Sequence, residues 1–187
     1  MCLHTLADAL EAGATQGITS NNHLAYMQLA LAQAKQSPPK DSNFRVGAVL
    51  VDAESNTILT TGYTLELPGN THAEQVCLIK YAKAHDVPEE RVSEVLPTNT
   101  VIYTTIEPCA KRLSGKLPCV ERILRTRKVD GEGGIRKVYV GMKEPEKFIK
   151  EGELKSGRMK LEDAGIECVA VPGLESEIMD VATTGHQ

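Results

Sequence analysis

Asn70-Thr71-His72-Ala73-Glu74 sets an imidazole and a carboxylate two residues apart, and two cysteines further on, Cys109 and Cys119, each follow a proline. One neutral imidazole with two thiolates is a borderline-soft donor set that suits tetrahedral zinc. Three protein ligands leave the fourth position open for water, the arrangement of a catalytic metal rather than a structural one. Glu74 is not needed as a ligand and is placed to move a proton on and off that water. Residues two apart on a helix do not share a face, so Glu74 approaches from beside His72 instead of competing for the metal. The same residues allow plainer readings: Thr71-x-x-Glu74 fits an N-terminal capping box, and buried apolar thiols are the commoner fate of intracellular cysteines. The four residues together, with a proline before each cysteine, favour the metal site.

Nine residues separate the cysteines, from Ala110 to Pro118. Zinc needs no such length. A surface loop punctuated by Gly115 and Pro118 returns Cys119 to the first turn of a following helix.

The elements that must hold these groups follow from hydrophobic pattern. Residues 1–20, with Leu3, Leu6 and Leu10, suggest a peripheral amphipathic helix. Asn21 or Asn22 caps the next helix, which Ser37-Pro38-Pro39 stops. Phe44 to Val51 is a β-rich run without pronounced polar alternation, as in a strand buried on both faces, and Thr57 to Tyr63 returns as its antiparallel partner. The His72 helix runs to about His85, and Thr100 to Thr105 forms a third strand from whose carboxyl end Glu107-Pro108-Cys109 departs. Ligand crevices of open α/β sheets lie at such ends. A helix from Cys119 to about Arg127, a strand from Ile135 to Gly141, a helix from Ser156 to Ala164 capped by Gly165, and a strand from Ile166 to Val171 follow. The helix between strands four and five permits a right-handed crossover and a parallel pair. The charged stretch from Lys143 to Lys155 reads as a loop, Pro88 to Arg91 as solvated surface, and the tail from Leu174 as a short apolar pattern with a polar end. Cys77 and Cys168 follow core faces and read as packing; His4, His23, His85 and His186 lack partnered motifs and read as surface or packing residues.

At 187 residues the chain is one domain's worth, a core of about 22–172 with an N-terminal extension (1–20) and a C-terminal tail (173–187). Five cysteines, no cationic-then-apolar leader and no apolar run near membrane length point to an intracellular chain with reduced thiols, in the cytoplasm and with the nucleus also open to it. A net charge of −4, no Trp and two Phe argue against a nucleic-acid partner.

These motifs resemble the cytidine deaminase-like zinc deaminases, over about residues 22–172. Asn43-Phe44-Arg45-Val46-Gly47-Ala48-Val49 is similar to the Asn-Pro-x-Val-Gly strand of riboflavin-pathway deaminases, with Phe44 standing where bacterial relatives have Pro. Leu67 to Glu74 and Glu107 to Cys119 resemble the approach loop and long metal loop of the fungal-type members of that pathway. The resemblance implies an α/β chain with a three-layer α/β/α fold and a mixed five-stranded sheet, a homodimer, and hydrolysis of the 2-amino group of 2,5-diamino-6-ribitylamino-4(3H)-pyrimidinone 5'-phosphate. No pseudouridine synthase-like or reductase domain accompanies it, so deamination alone is expected. Such a substrate needs polar and cationic contacts. Asn43 and Asn70, and Arg45, Lys111, Arg112, Ser114 and Lys116, are the nearest candidates in sequence, Arg112 first because its fork suits phosphate bidentately. Asn43 as a turn residue and each cation as a solvated charge are the competing readings. Two other functions stay open: a tRNA adenosine or free-base deaminase sharing the zinc site, and a non-enzymatic zinc-stabilised interaction module, which would need a fourth protein ligand.

Overall fold

A computed structural model describes residues 19–112, 114–128, 133–143 and 157–186. The helix expected within 1–20 and all but the first residue of the charged stretch from Lys143 lie outside the described residues.

Five strands, β1 (Gly47–Asp52), β2 (Thr57–Tyr63), β3 (Thr100–Ile106), β4 (Ile135–Met142) and β5 (Glu167–Ala170), form one sheet in the order β2-β1-β3-β4-β5. β1 is antiparallel to β2 and β3, whereas β3–β4 and β4–β5 are parallel. The sheet is therefore mixed, with the expected parallel pair at strands four and five. The central strands β1 and β3 lack polar alternation because both their faces are covered. Ala48, Leu50, Ile102, Val138 and Cys168 face α2 (Ala73–Ala84), α3 (Cys119–Arg125) and α4 (Gly157–Asp163). Val49, Val51, Val101, Tyr103 and Tyr139 face α1 (His23–Ala34) and α5 (Glu175–Thr183).

Several boundaries differ from the sequence reading, each for a tertiary reason. The first strand starts at Gly47 rather than Phe44, because the Arg45 backbone N–H donates to the Ala182 carbonyl at the end of α5. At Gly47 α1 lies so close that a Cβ would fall 1.9 Å from the Ala30 carbonyl oxygen, so this contact admits no side chain. Residues 89–94 form a 3₁₀ helix that buries Val92 and pairs Glu89 with Arg122 of α3. The apolar pattern of the tail is α5, whose Ile178 and Ala182 are buried against the sheet. His23 does find partners: its Nδ1 lies 2.9 Å from the Tyr103 hydroxyl and its ring stacks on Tyr139 at 4.4 Å. None of the described helices is long and apolar enough to cross a membrane.

Candidate metal and catalytic site

Three elements deliver the metal ligands at the carboxyl edge of the sheet. His72 is the N-cap of α2, Cys119 is the first residue of α3 after Pro118, and Cys109 lies in the segment leaving β3. His72 Nδ1 is 3.6 Å from Cys109 Sγ and 3.4 Å from Cys119 Sγ, and the three donor atoms all lie within 4.8 Å of one another. Zinc–sulfur and zinc–nitrogen bonds of about 2.3 and 2.0–2.1 Å at tetrahedral angles would separate such donors by about 3.5–3.8 Å. The donor set and its spacing therefore fit zinc. Among the described residues no other group of His, Cys, Asp and Glu side chains is placed to hold a metal.

The surroundings favour thiolate at Cys109. Cys109 Sγ accepts the Cys119 backbone N–H at 3.4 Å, at the positive end of α3. The hydrogen bond from the Cys119 thiol brings Cys109 down to about 4, and the same shared proton, with burial, pushes Cys119 well above the ordinary thiol range. A metal ion held by the two thiolates would take the place of that proton.

Glu74 is 3 % exposed, in the first turn of α2 beside these ligands. Burial, and then the charge on Cys109, raise its proton affinity above that of an ordinary carboxyl. A capping box is not what it forms. The N-cap is His72 rather than Thr71, and the Thr71 hydroxyl instead donates to the Leu67 carbonyl at 2.9 Å while accepting the Leu67 N–H at 3.3 Å. Thr71 thus closes the approach loop, and Glu74 is left facing the site.

Cys77 and Cys168 are buried in the core layer under α2, α3 and α4. Burial pushes the Cys77 thiol far up and Cys168 up to about 11, so both stay protonated and apolar. Replacing either by Ala is expected to leave bound zinc at one per chain, measured by elemental analysis of dialysed protein. Loss of zinc from either variant would overturn the three-ligand assignment.

The other expected site residues are distributed unevenly. Asn43 and Asn70 meet, the Asn43 amide donating to the Asn70 Oδ1 at 2.8 Å. Asn70 and Gly69 both hold positive φ, at 57° and 93°, which turns their carbonyls toward the cysteine loop. Lys116 donates to the Gly69 carbonyl and Arg112 to the Asn70 carbonyl. Arg112 is only 6 % exposed, and its other terminal nitrogen donates to Gln75 Oε1 of α2 at 2.9 Å. The residue expected first at a phosphate is turned into the protein. Arg45 is also engaged away from the metal, through the Ser37 carbonyl at 2.7 Å and the Lys35 carbonyl just past α1. Lys111 and Ser114 lie exposed on the cysteine loop. Gln75 had no signature in the sequence; only the fold shows it as the acceptor for a buried guanidinium.

Comparison with known proteins places this geometry. Residues 20–142 match the model of the cytidine and deoxycytidylate deaminase zinc-binding region. A diaminohydroxyphosphoribosylamino-pyrimidine deaminase of Schizosaccharomyces pombe is 34 % identical over 165 residues, 88 % of this chain but 36 % of that protein, so the chain spans about a third of this relative's length. The crystal structure of Aspergillus oryzae Rib2 deaminase in complex with DARIPP is 50 % identical, covers 88 % of this chain and 92 % of that one, and superposes with a TM-score of 0.79. A bifunctional deaminase/reductase of Thermotoga maritima, 23 % identical with a TM-score of 0.65 over 87 % of this chain and 40 % of its own, shares the fold. With His72, Cys109 and Cys119 converging at zinc-ligand spacing inside the matched region, the chain belongs to the zinc-binding cytidine and deoxycytidylate deaminase family.

Proposed function

We propose that this chain hydrolyses the 2-amino group of 2,5-diamino-6-ribitylamino-4(3H)-pyrimidinone 5'-phosphate, releasing ammonia, as a cytoplasmic homodimer in riboflavin biosynthesis. The observation that carries the reading is the likeness to Rib2 deaminase, 50 % identical over 92 % of that chain and crystallised with DARIPP. The fungal deaminase of Schizosaccharomyces pombe supports it.

His72, Cys109 and Cys119 would hold the zinc, which when bound supplies Lewis-acid activation of a water molecule. The remaining work falls to the chain's own residues. Glu74 takes a proton from the attacking water and passes protons to the ring nitrogen and to the departing amine, so that water and amine exchange for carbonyl and ammonia. Its burial suits that task, because raised proton affinity makes the carboxyl a stronger proton acceptor than an ordinary carboxylate. Asn43 and Asn70, joined side chain to side chain, offer a donor and acceptor edge to the pyrimidine. Lys111, Ser114 and Lys116 line the rim for a phosphate, while Arg112 and Arg45 act by holding backbone in place.

The test is ammonia release by the zinc-loaded chain against a panel: the ribitylamino and phosphoribosylamino pyrimidine phosphates, cytidine, guanine and a tRNA anticodon stem. Turnover of the ribitylamino phosphate with little of the others is the expected result. Preference for cytidine, guanine or RNA would replace the substrate but keep the chemistry. Ammonia from none of them, with zinc bound, would favour an interaction module.

A further inference from the structure

Cys109 is the one metal ligand that neither caps nor begins a helix, yet its sulfur has to stay within a few tenths of an ångström of its place. The start of α3 holds it from one side: the Val120 N–H donates to the Cys109 carbonyl at 3.3 Å and the Cys119 N–H to its sulfur at 3.4 Å. Its other side rests on α4. Glu107 Oε1 accepts the Arg158 backbone N–H, in the first turn of α4, at 2.7 Å. The Glu107 N–H in turn donates to the Met142 carbonyl at the end of β4 at 3.0 Å. Between them Gly157, the first residue of α4, lies so close that a Cβ would stand 2.3 Å from the Pro108 carbonyl oxygen and 3.1 Å from Val120. Its φ is not in the left-handed region, so glycine is needed here for space and not for conformation. Lys160, one turn on, reaches the Ala110 carbonyl at 3.5 Å.

We propose that Glu107 and Gly157 are positioning residues for the metal: Glu107 bonds the end of β3 to the first turn of α4, and α4 then forms the wall against which Pro108-Cys109 is pressed into ligating position. The Glu of the Glu-Pro-Cys stretch thereby acquires a role separate from the ligands themselves. It is an outer-shell hydrogen bond that acts through the backbone, and such groups commonly govern metal affinity. The inference rests on the metal assignment and is independent of which substrate the site takes.

The experiment measures zinc affinity of the full chain by competition with a chromophoric chelator, together with the melting temperature with and without zinc. Glu107→Ala and Gly157→Ala are expected to raise the zinc Kd roughly 10–100-fold. The zinc-induced rise in melting temperature should shrink with it, since that rise follows ligand concentration over Kd. Glu107→Gln, whose amide oxygen still accepts the Arg158 N–H, should stay within about threefold of wild type. A residue that serves stability alone would lower the melting temperature of metal-free and zinc-loaded protein equally and leave Kd unchanged. Zinc affinity within about threefold of wild type in both Glu107→Ala and Gly157→Ala overturns the proposal, as does a Glu107→Gln variant as weak as Glu107→Ala. Should Glu107→Ala fail to fold, Gly157→Ala decides alone: an unchanged Kd refutes the clamp and a raised one supports it. Failure of the wild type to bind zinc would instead remove the metal assignment beneath it.

Discussion

Glu74→Gln is expected to abolish turnover by about 10²–10⁴-fold while zinc stays at one per chain and the fold is retained. The two side chains are nearly the same size, so packing around a residue that is 3 % exposed is preserved, and Glu74 is not among the three donors at the metal. What is lost is the proton shuttle, because an amide neither accepts a proton from water nor returns one to the leaving amine. Stability moves the other way. The Glu74 proton affinity is raised by burial, so its ionised form is the costly one in the folded protein. That cost sets in as pH rises above the ordinary carboxyl range and persists at neutral pH, where Gln avoids it. The variant should melt at or above the wild-type temperature, the trade expected of a residue retained for chemistry. Metal content by elemental analysis, melting curves and ammonia release measure the three arms. Activity within about tenfold of wild type would return Glu74 to a structural role at the helix start.

The metal site was legible in the sequence because it is encoded in residue type and short spacing. His72-x-Glu74 and two Pro-Cys pairs name their atoms without knowledge of the fold. The strands were legible for a related reason: β1 is mostly apolar, β3 is rich in β-branched residues, and an antiparallel hairpin between Gly47 and Tyr63 needs only a short turn. What was not legible depends on segments far apart. Thr71 and Glu74 satisfy the capping pattern, but the approach loop binds the threonine hydroxyl first, and that competition is tertiary. The tail's apolar pattern could not announce α5, whose pairing with Arg45 moves the start of β1 by three residues. The 3₁₀ helix near Val92 hides in a stretch whose charges look solvated until Arg122 supplies a partner for Glu89.

Arg112 shows the same limit at the site. Composition places a cation on the cysteine loop, but only the fold reveals which way it points. Arg112→Ala is therefore expected to act on stability and loop geometry more than on phosphate. Removing the guanidinium leaves Gln75 Oε1 without its donor in a buried setting, and frees the Asn70 carbonyl on the exposed turn beside it. Stranding that buried acceptor costs about 1–3 kcal/mol. For a domain of this size that corresponds to a fall in melting temperature of roughly 2–12 °C. Catalysis should also suffer, because Asn70 lies two residues before His72 and meets Asn43. That loss should be similar for the phosphorylated ribitylaminopyrimidine and its dephosphorylated form, leaving their ratio of kcat/KM near the wild-type value. Lys111→Ala offers the contrast, since its side chain is exposed on the same loop. It should lower melting less than Arg112→Ala does and reduce the preference for phosphate by roughly tenfold if one charge-assisted contact is lost. If Arg112→Ala instead melts like the wild type and erases the phosphate preference, its guanidinium reaches the ligand after all, and the inward hydrogen bonds must open when substrate binds.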